Sequence, residues 1–135
     1  MKRSKSNRWR AGCVAALALG PVQADEFTQQ DLERWNQEFM EVVREGDRLF
    51  HGGFPSKNTV SCDQCHPNAS NTHPETYPKF QKQLGEVVPL WRMINWCIQN
   101  PLQSEPLAAD DARMTALQAY IHWERRGVKL EPGKH

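Results

Sequence analysis

The sequence predicts an all-α fold of three to four helices gathered around one centre, and three observations predict it. Apolar residues recur at three- and four-residue steps in 25–46, 89–99 and 112–126. No alternating run of useful length offers a strand, and no internal repeat is present. The centre is the run Cys62-Asp63-Gln64-Cys65-His66.

A Cys-x-x-Cys-His run is the attachment pattern of c-type haem. Each sulfur adds across one vinyl group, and the two-residue spacer suits the separation of those vinyls. The next imidazole then falls beneath the iron. A zinc half-site would need a second cysteine pair, which the chain lacks. A redox-active dithiol has no use for the histidine. The expectation is one covalent haem c, anchored by Cys62 and Cys65 and ligated by His66.

Residues 1–24 read as a secretory leader. Lys2, Arg3, Lys5, Arg8 and Arg10 form its basic start, and 11–19 its apolar core. Gly20-Pro21 breaks that core before Val22-Gln23-Ala24, a small-residue cleavage site. The apolar run is too short to span a bilayer, so no stable membrane span is expected after cleavage. Export to the periplasm agrees with covalent haem attachment. The domain is then 25–135, of a length that suits a single domain.

Cleavage changes the charge balance. Five of the 17 basic residues and none of the 16 acidic ones precede Asp25, which leaves 12 against 16, a net charge of −4. That balance argues against a nucleic-acid partner and suits docking on a basic redox protein. Of the four cysteines, Cys13 leaves with the leader and two serve the haem. Cys97 remains as an unpaired thiol in an oxidising compartment, which calls for an explanation.

The first helix, 25–46, opens on an approximate capping box of Thr28 and Asp31. Its stripe of Leu32, Trp35, Phe39 and Val42/Val43 is expected to face the core, with a partner surface as the rival reading. Residues 51–61 and 67–78, rich in Gly, Pro, Ser and Asn, read as loops. A carbonyl at Pro78, twelve residues after His66, is a candidate acceptor for the His66 Nδ1–H; stiffening of the loop is the alternative. Pro89 suits N1 of the next helix, which Asn100-Pro101 stops. Leu90, Ile94, Cys97 and Ile98 share one face there, with Met93 on the same side. Asp110 or Asp111 opens the last helix, whose stripe is Met114, Leu117, Tyr120 and Ile121, with Gly127 as its C-cap.

Taken together, these elements resemble a class I cytochrome c. Gly46 and Phe50, the Cys62–His66 motif, Pro78 and a final helix with Tyr120 follow in that family's order. The resemblance implies that the first and last helices cross at Gly46, Phe50 and Tyr120. It also implies a distal methionine in a loop before the last helix, yet Met114 lies inside the helix. The segment Arg92-Met93-Ile94-Asn95-Trp96-Cys97 instead resembles the R-x-I-N-x-C segment of the SoxA subunit of the thiosulfate-oxidising system. Met114–Ile121 and Arg126-Gly127 are similar to that family as well, which places the resemblance over roughly 46–127. By resemblance Cys97 is the distal ligand.

Its place on an apolar helix face agrees, because ferric iron would neutralise a buried thiolate. An inert buried thiol is the alternative. Met93, one turn away, is the next candidate; His51 and His73 are candidate distal imidazoles, and Met114 reads as core. A thiolate ligand stabilises Fe(III) and lowers the potential. The expected role is single-electron transfer at low potential with redox-protein partners, a second c-type cytochrome among them, and a dimer or heterodimer among the candidate assemblies. The rival roles are a SoxA-like subunit acting on thiosulfate sulfur and a sensor of NO or CO.

Overall fold

In a computed structural model the chain is described over residues 27–130, so the leader lies outside the described residues. Helix α1, Gln29–Arg48, starts where the sequence placed its cap. The Thr28 hydroxyl accepts from the Asp31 N–H, and the Thr28 N–H donates to the Asp31 carboxylate, both at 3.1 Å. Two orphan donors are thereby satisfied reciprocally. The helix widens into a π-turn at Leu49–Gly53, which ends once Gly52 takes φ +95°.

A short helix α2, Cys62–Cys65, carries the cysteine pair. Two 3-10 turns follow, Pro67–Ala69 and Pro74–Thr76. Helix α3, Leu90–Gln99, and helix α4, Ala112–Glu124, complete the helical set. Asp111, rather than Asp110, caps α4 by accepting from the Arg113 N–H at 2.8 Å. Gly127, at φ +77°, turns the chain beyond its end.

A two-stranded antiparallel hairpin lies between the turns and α3, where no strand was expected. Strand β1, Lys79–Gln81, pairs with β2, Glu86–Val88, with Phe80 opposite Val87. Strands of three residues are too short to display a two-residue period.

Helices α1 and α4 pack closely against each other. Gly46 makes this possible, because a Cβ there would run into the Ala116 carbonyl and lie 2.7 Å from Tyr120 Cβ. The Phe50 and Tyr120 rings fill the same contact with centroids 5.0 Å apart. Gly46, Phe50 and Tyr120 therefore meet as the family resemblance implied. Leu49, Met114, Leu117, Ile98 and Ala69 are buried in the core around that crossing.

The stripe of α1 departs from expectation. Val43 is buried, but Leu32, Trp35, Phe39 and Val42 are 48, 40, 42 and 36% exposed. The reason is length. Twenty residues of α1 run about 30 Å and thirteen of α4 about 20 Å, so a crossing at Gly46 leaves Leu32 and Trp35 beyond the end of α4. Phe39 meets the edge of Trp123 near that end, with centroids 6.1 Å apart.

Candidate haem centre

The elements α2, β1, α3 and the turn after α2 enclose a largely apolar cavity of about 600 Å³. That volume lies in the range of small-molecule and cofactor sites. Cys62, Cys65 and His66 line one part of it, while Met93 and Cys97 reach it from α3. Phe50, Leu90, Ile94, Trp96, Leu102 and Ile121 supply much of the apolar lining. Tyr77, Lys79, Phe80, Gln81, Lys82 and Gln83 bring the hairpin to its rim.

His66 is held by its immediate neighbours. Its Nδ1 lies 2.9 Å from the Ser70 carbonyl. A carbonyl can only accept, so Nδ1 carries the proton and Nε2 keeps a free lone pair. The acceptor is Ser70 and not Pro78. Asn68 and Ala69 adopt φ +46° and +55°, and the Ala69 N–H donates to the His66 carbonyl at 2.9 Å. That tight turn brings Ser70 back over the imidazole within four residues. Pro78 is exposed behind a cis bond with Tyr77 and does not line the cavity, although Tyr77 and Lys79 on either side of it do.

The two half-buried thiols have related electrostatics. Burial pushes the Cys62 thiol up to about 12, with Cys97 and Asp63 adding to the rise. Burial likewise pushes Cys97 up to about 11, with a smaller contribution from Cys65. An apolar cavity by itself keeps both sulfurs protonated. A cation bound at Cys97 would reverse that preference there.

The other candidate ligands do not line the cavity. His51 Nδ1 lies 2.9 Å from Asp47, and His73 Nδ1 lies 3.1 Å from Glu75. Neither ring lines the cavity, and His122 is exposed on α4. Met114 is wholly buried in the core, as its place in the stripe implied. Arg92 pairs with Glu86 at 2.7 Å and does not line the cavity. Among the described residues, the sulfur donors lining the cavity besides the cysteine pair are Cys97 and Met93, both on α3.

Residues 45–130 match the family model described as "SoxA/TsdA, cytochrome c domain". The chain belongs to this family. It is a SoxA-like class I c-type cytochrome, and such a domain carries covalently bound haem c. The thiosulfate dehydrogenase of Psychrobacter arcticus is 28% identical over 141 residues. That similarity covers 88% of this chain but 42% of the relative, so the chain spans under half of the relative's length.

The cavity fits the cofactor its family carries. It offers two thiols spaced by two residues, an imidazole with its Nε2 lone pair free, apolar walls, and two further sulfurs from α3 in its lining. Sequence reasoning did not foresee Asn95, which is buried behind α3 with both ends of its amide bonded to Leu107. An asparagine set between Ile94 and Trp96 was the available signal.

Proposed function

We propose that this chain is an exported monohaem c-type cytochrome that passes single electrons at low potential. In this reading the leader is residues 1–24 and the cytochrome domain 25–135. Cys62 and Cys65 anchor the haem, and His66 and Cys97 ligate its iron. One observation carries the reading: a thiol on α3 lines the same apolar cavity as the cysteine pair and its oriented histidine.

The group supplies a reversible Fe(III)/Fe(II) couple when bound. The chain supplies the environment that sets its potential. Ser70 polarises His66 through Nδ1 and raises the basicity of Nε2. Cys97, as a thiolate ligand, would bring negative charge to the iron and favour Fe(III). The apolar walls exclude water and strengthen both effects. Cys65 is exposed while Cys62 is half-buried, so the attachment side opens to solvent at one end. Electrons enter and leave there, to redox-protein partners that a mildly acidic surface would steer.

Covalent attachment is tested by isolating haem-loaded protein and its Cys62→Ser/Cys65→Ser variant. Haem that stays with the denatured wild-type chain and is absent from the variant supports the assignment. A potentiometric titration that follows a one-electron curve at low potential supports the carrier role. Haem lost from the denatured wild type, or a potential typical of Met/His cytochromes, would overturn it.

A second reading follows from the relative's name. The chain would form part of a thiosulfate-oxidising enzyme, with a second c-type cytochrome as partner. Its support is the similarity to the thiosulfate dehydrogenase. Thiosulfate-dependent reduction of the ferric protein, alone and with a candidate partner cytochrome, separates this reading from a simple carrier.

A further inference from the structure

We propose that Asn95 is a positioning residue that decides which sulfur α3 presents to the iron, holding Cys97 in place and Met93 away. The inference rests on the His66/Cys97 ligation proposed above. Its basis is that α3 offers two sulfur donors and one buried polar latch.

Met93 and Cys97 are four residues apart, so they lie on one face of α3, and both line the cavity. Four residues of α-helix separate them by about 6 Å along the axis. With His66 as one ligand, a bound haem iron would take one of them as the other. The choice depends on where α3 stands along its axis and how it is tilted against the cavity.

Leu90 and Ile98 bury one side of α3 in the core, and Arg92 pairs with Glu86. Apolar contacts and one exposed pair fix its axial position less sharply than a buried two-point hydrogen bond. The helix begins after Pro89 with no side-chain cap. Its partner is the segment that follows it. Asn95 Nδ2 donates to the Leu107 carbonyl at 2.8 Å, and the Leu107 N–H donates to Asn95 Oδ1 at 2.9 Å. Both side chains are buried. The Leu102 N–H also donates to the Cys97 carbonyl at 3.2 Å, and the Ser104 N–H to the Ile98 carbonyl at 2.9 Å. The segment 100–107 thus returns along the helix and is bonded to its end and to its middle.

Asn95 is two residues from each sulfur donor, about 200° around the helix, and so holds the helix from behind the face that bears them. Without its amide, the Leu107 N–H and carbonyl lose their partners in a buried place and the helix loses its mid-point attachment. Met93 then competes for the position of Cys97, whose sulfur takes a proton from solvent as it leaves.

The test uses haem-loaded protein in four forms: wild type, Asn95→Ala, Asn95→Asp, and Asn95→Ala combined with Met93→Leu. Ferric EPR with near-infrared magnetic circular dichroism reads the ligand, and a redox titration reads the potential. Wild type is expected to show a low-spin thiolate signal. Asn95→Ala is expected to lose most of it to a thioether-ligated species and to rise in midpoint potential. Adding Met93→Leu should abolish the new species and leave high-spin iron, an outcome that general loosening of the core would not tie to Met93. Asn95→Asp keeps the acceptor for Leu107 N–H and loses the donor, so an intermediate thiolate fraction is expected.

A wild-type spectrum and potential in Asn95→Ala would overturn the inference, as would a new species that persists without Met93. Where Asn95→Ala fails to accumulate with haem, a wild-type spectrum in Asn95→Asp overturns it instead. A wild type with no thiolate signal fails at the earlier step and removes the ligation reading together with the selection role.

Discussion

The two walls of the cavity are built in different ways. The wall bearing Cys62, Cys65 and His66 comes from five consecutive residues, and even the acceptor that orients its histidine lies four residues away. The wall bearing Met93 and Cys97 is a helix positioned by a segment that closes on it twelve residues downstream. The attachment motif is thus a local property, while the placing of the α3 sulfurs is a tertiary one. The difference teaches that the two can be broken separately.

The largest effect is expected on the first wall. His66→Ala should remove the proximal ligand, and absorption spectra of the purified chain should show haem lost or left high-spin. Cys97→Ala sharpens the contrast. It should leave the haem covalently attached, with stoichiometry unchanged by mass spectrometry, while the midpoint potential rises as the thiolate is lost.

Gly46→Ala addresses neither wall directly. The added methyl meets the Ala116 carbonyl and Tyr120, and overpacking of this kind destabilises by roughly 1–3 kcal/mol. Denaturant unfolding should report that loss while the ferric spectrum of the folded protein stays the same. A spectral change would mean that the helix crossing and the cavity are coupled.

Glu75 lies on the segment that runs from His66 to the hairpin. Burial raises its carboxyl, but its backbone bond, His73 and Arg125 outweigh this and hold it below its ordinary 4.5. A depressed carboxyl contributes stability above its unfolded pKa and loses it as pH falls through the folded one. Stability measured downward from pH 4.5 should therefore fall less steeply in Glu75→Gln than in wild type. The smallest effect belongs to Met93→Leu in the intact protein. A volume-conserving swap costs under about 1.5 kcal/mol, and the ferric spectrum should not change while Cys97 is held.

Legibility in the sequence followed the same division. The cysteine pair, the histidine, the Thr28–Asp31 cap and the meeting of Gly46 with Phe50 and Tyr120 were readable, because each is a local pattern or is carried by the family resemblance. The place of Cys97 and Met93 on one face followed from helical spacing alone. What escaped was set by distance in the chain or by length. Ser70 replaces Pro78 as acceptor because left-handed backbone at Asn68 and Ala69 turns the chain more tightly than composition indicates. The hairpin at 79–88 escaped because each strand has only three residues. The first turns of α1 carry a good apolar stripe, yet no partner helix within the described residues reaches them. Periodicity reports which face is apolar and not how far its cover extends. Asn95 stood in the sequence only as a letter of the R-x-I-N-x-C segment, because its partner Leu107 lies twelve residues away and leaves no local pattern.

The proposed ligation of the haem iron by Cys97 together with His66 is open to direct test. The direct measurement is EPR with near-infrared magnetic circular dichroism on the ferric wild type beside Cys97→Ala. The account predicts a low-spin thiolate signature in the wild type that disappears in the variant. The same spectrum in both proteins would contradict it and return Cys97 to the apolar wall as an inert thiol.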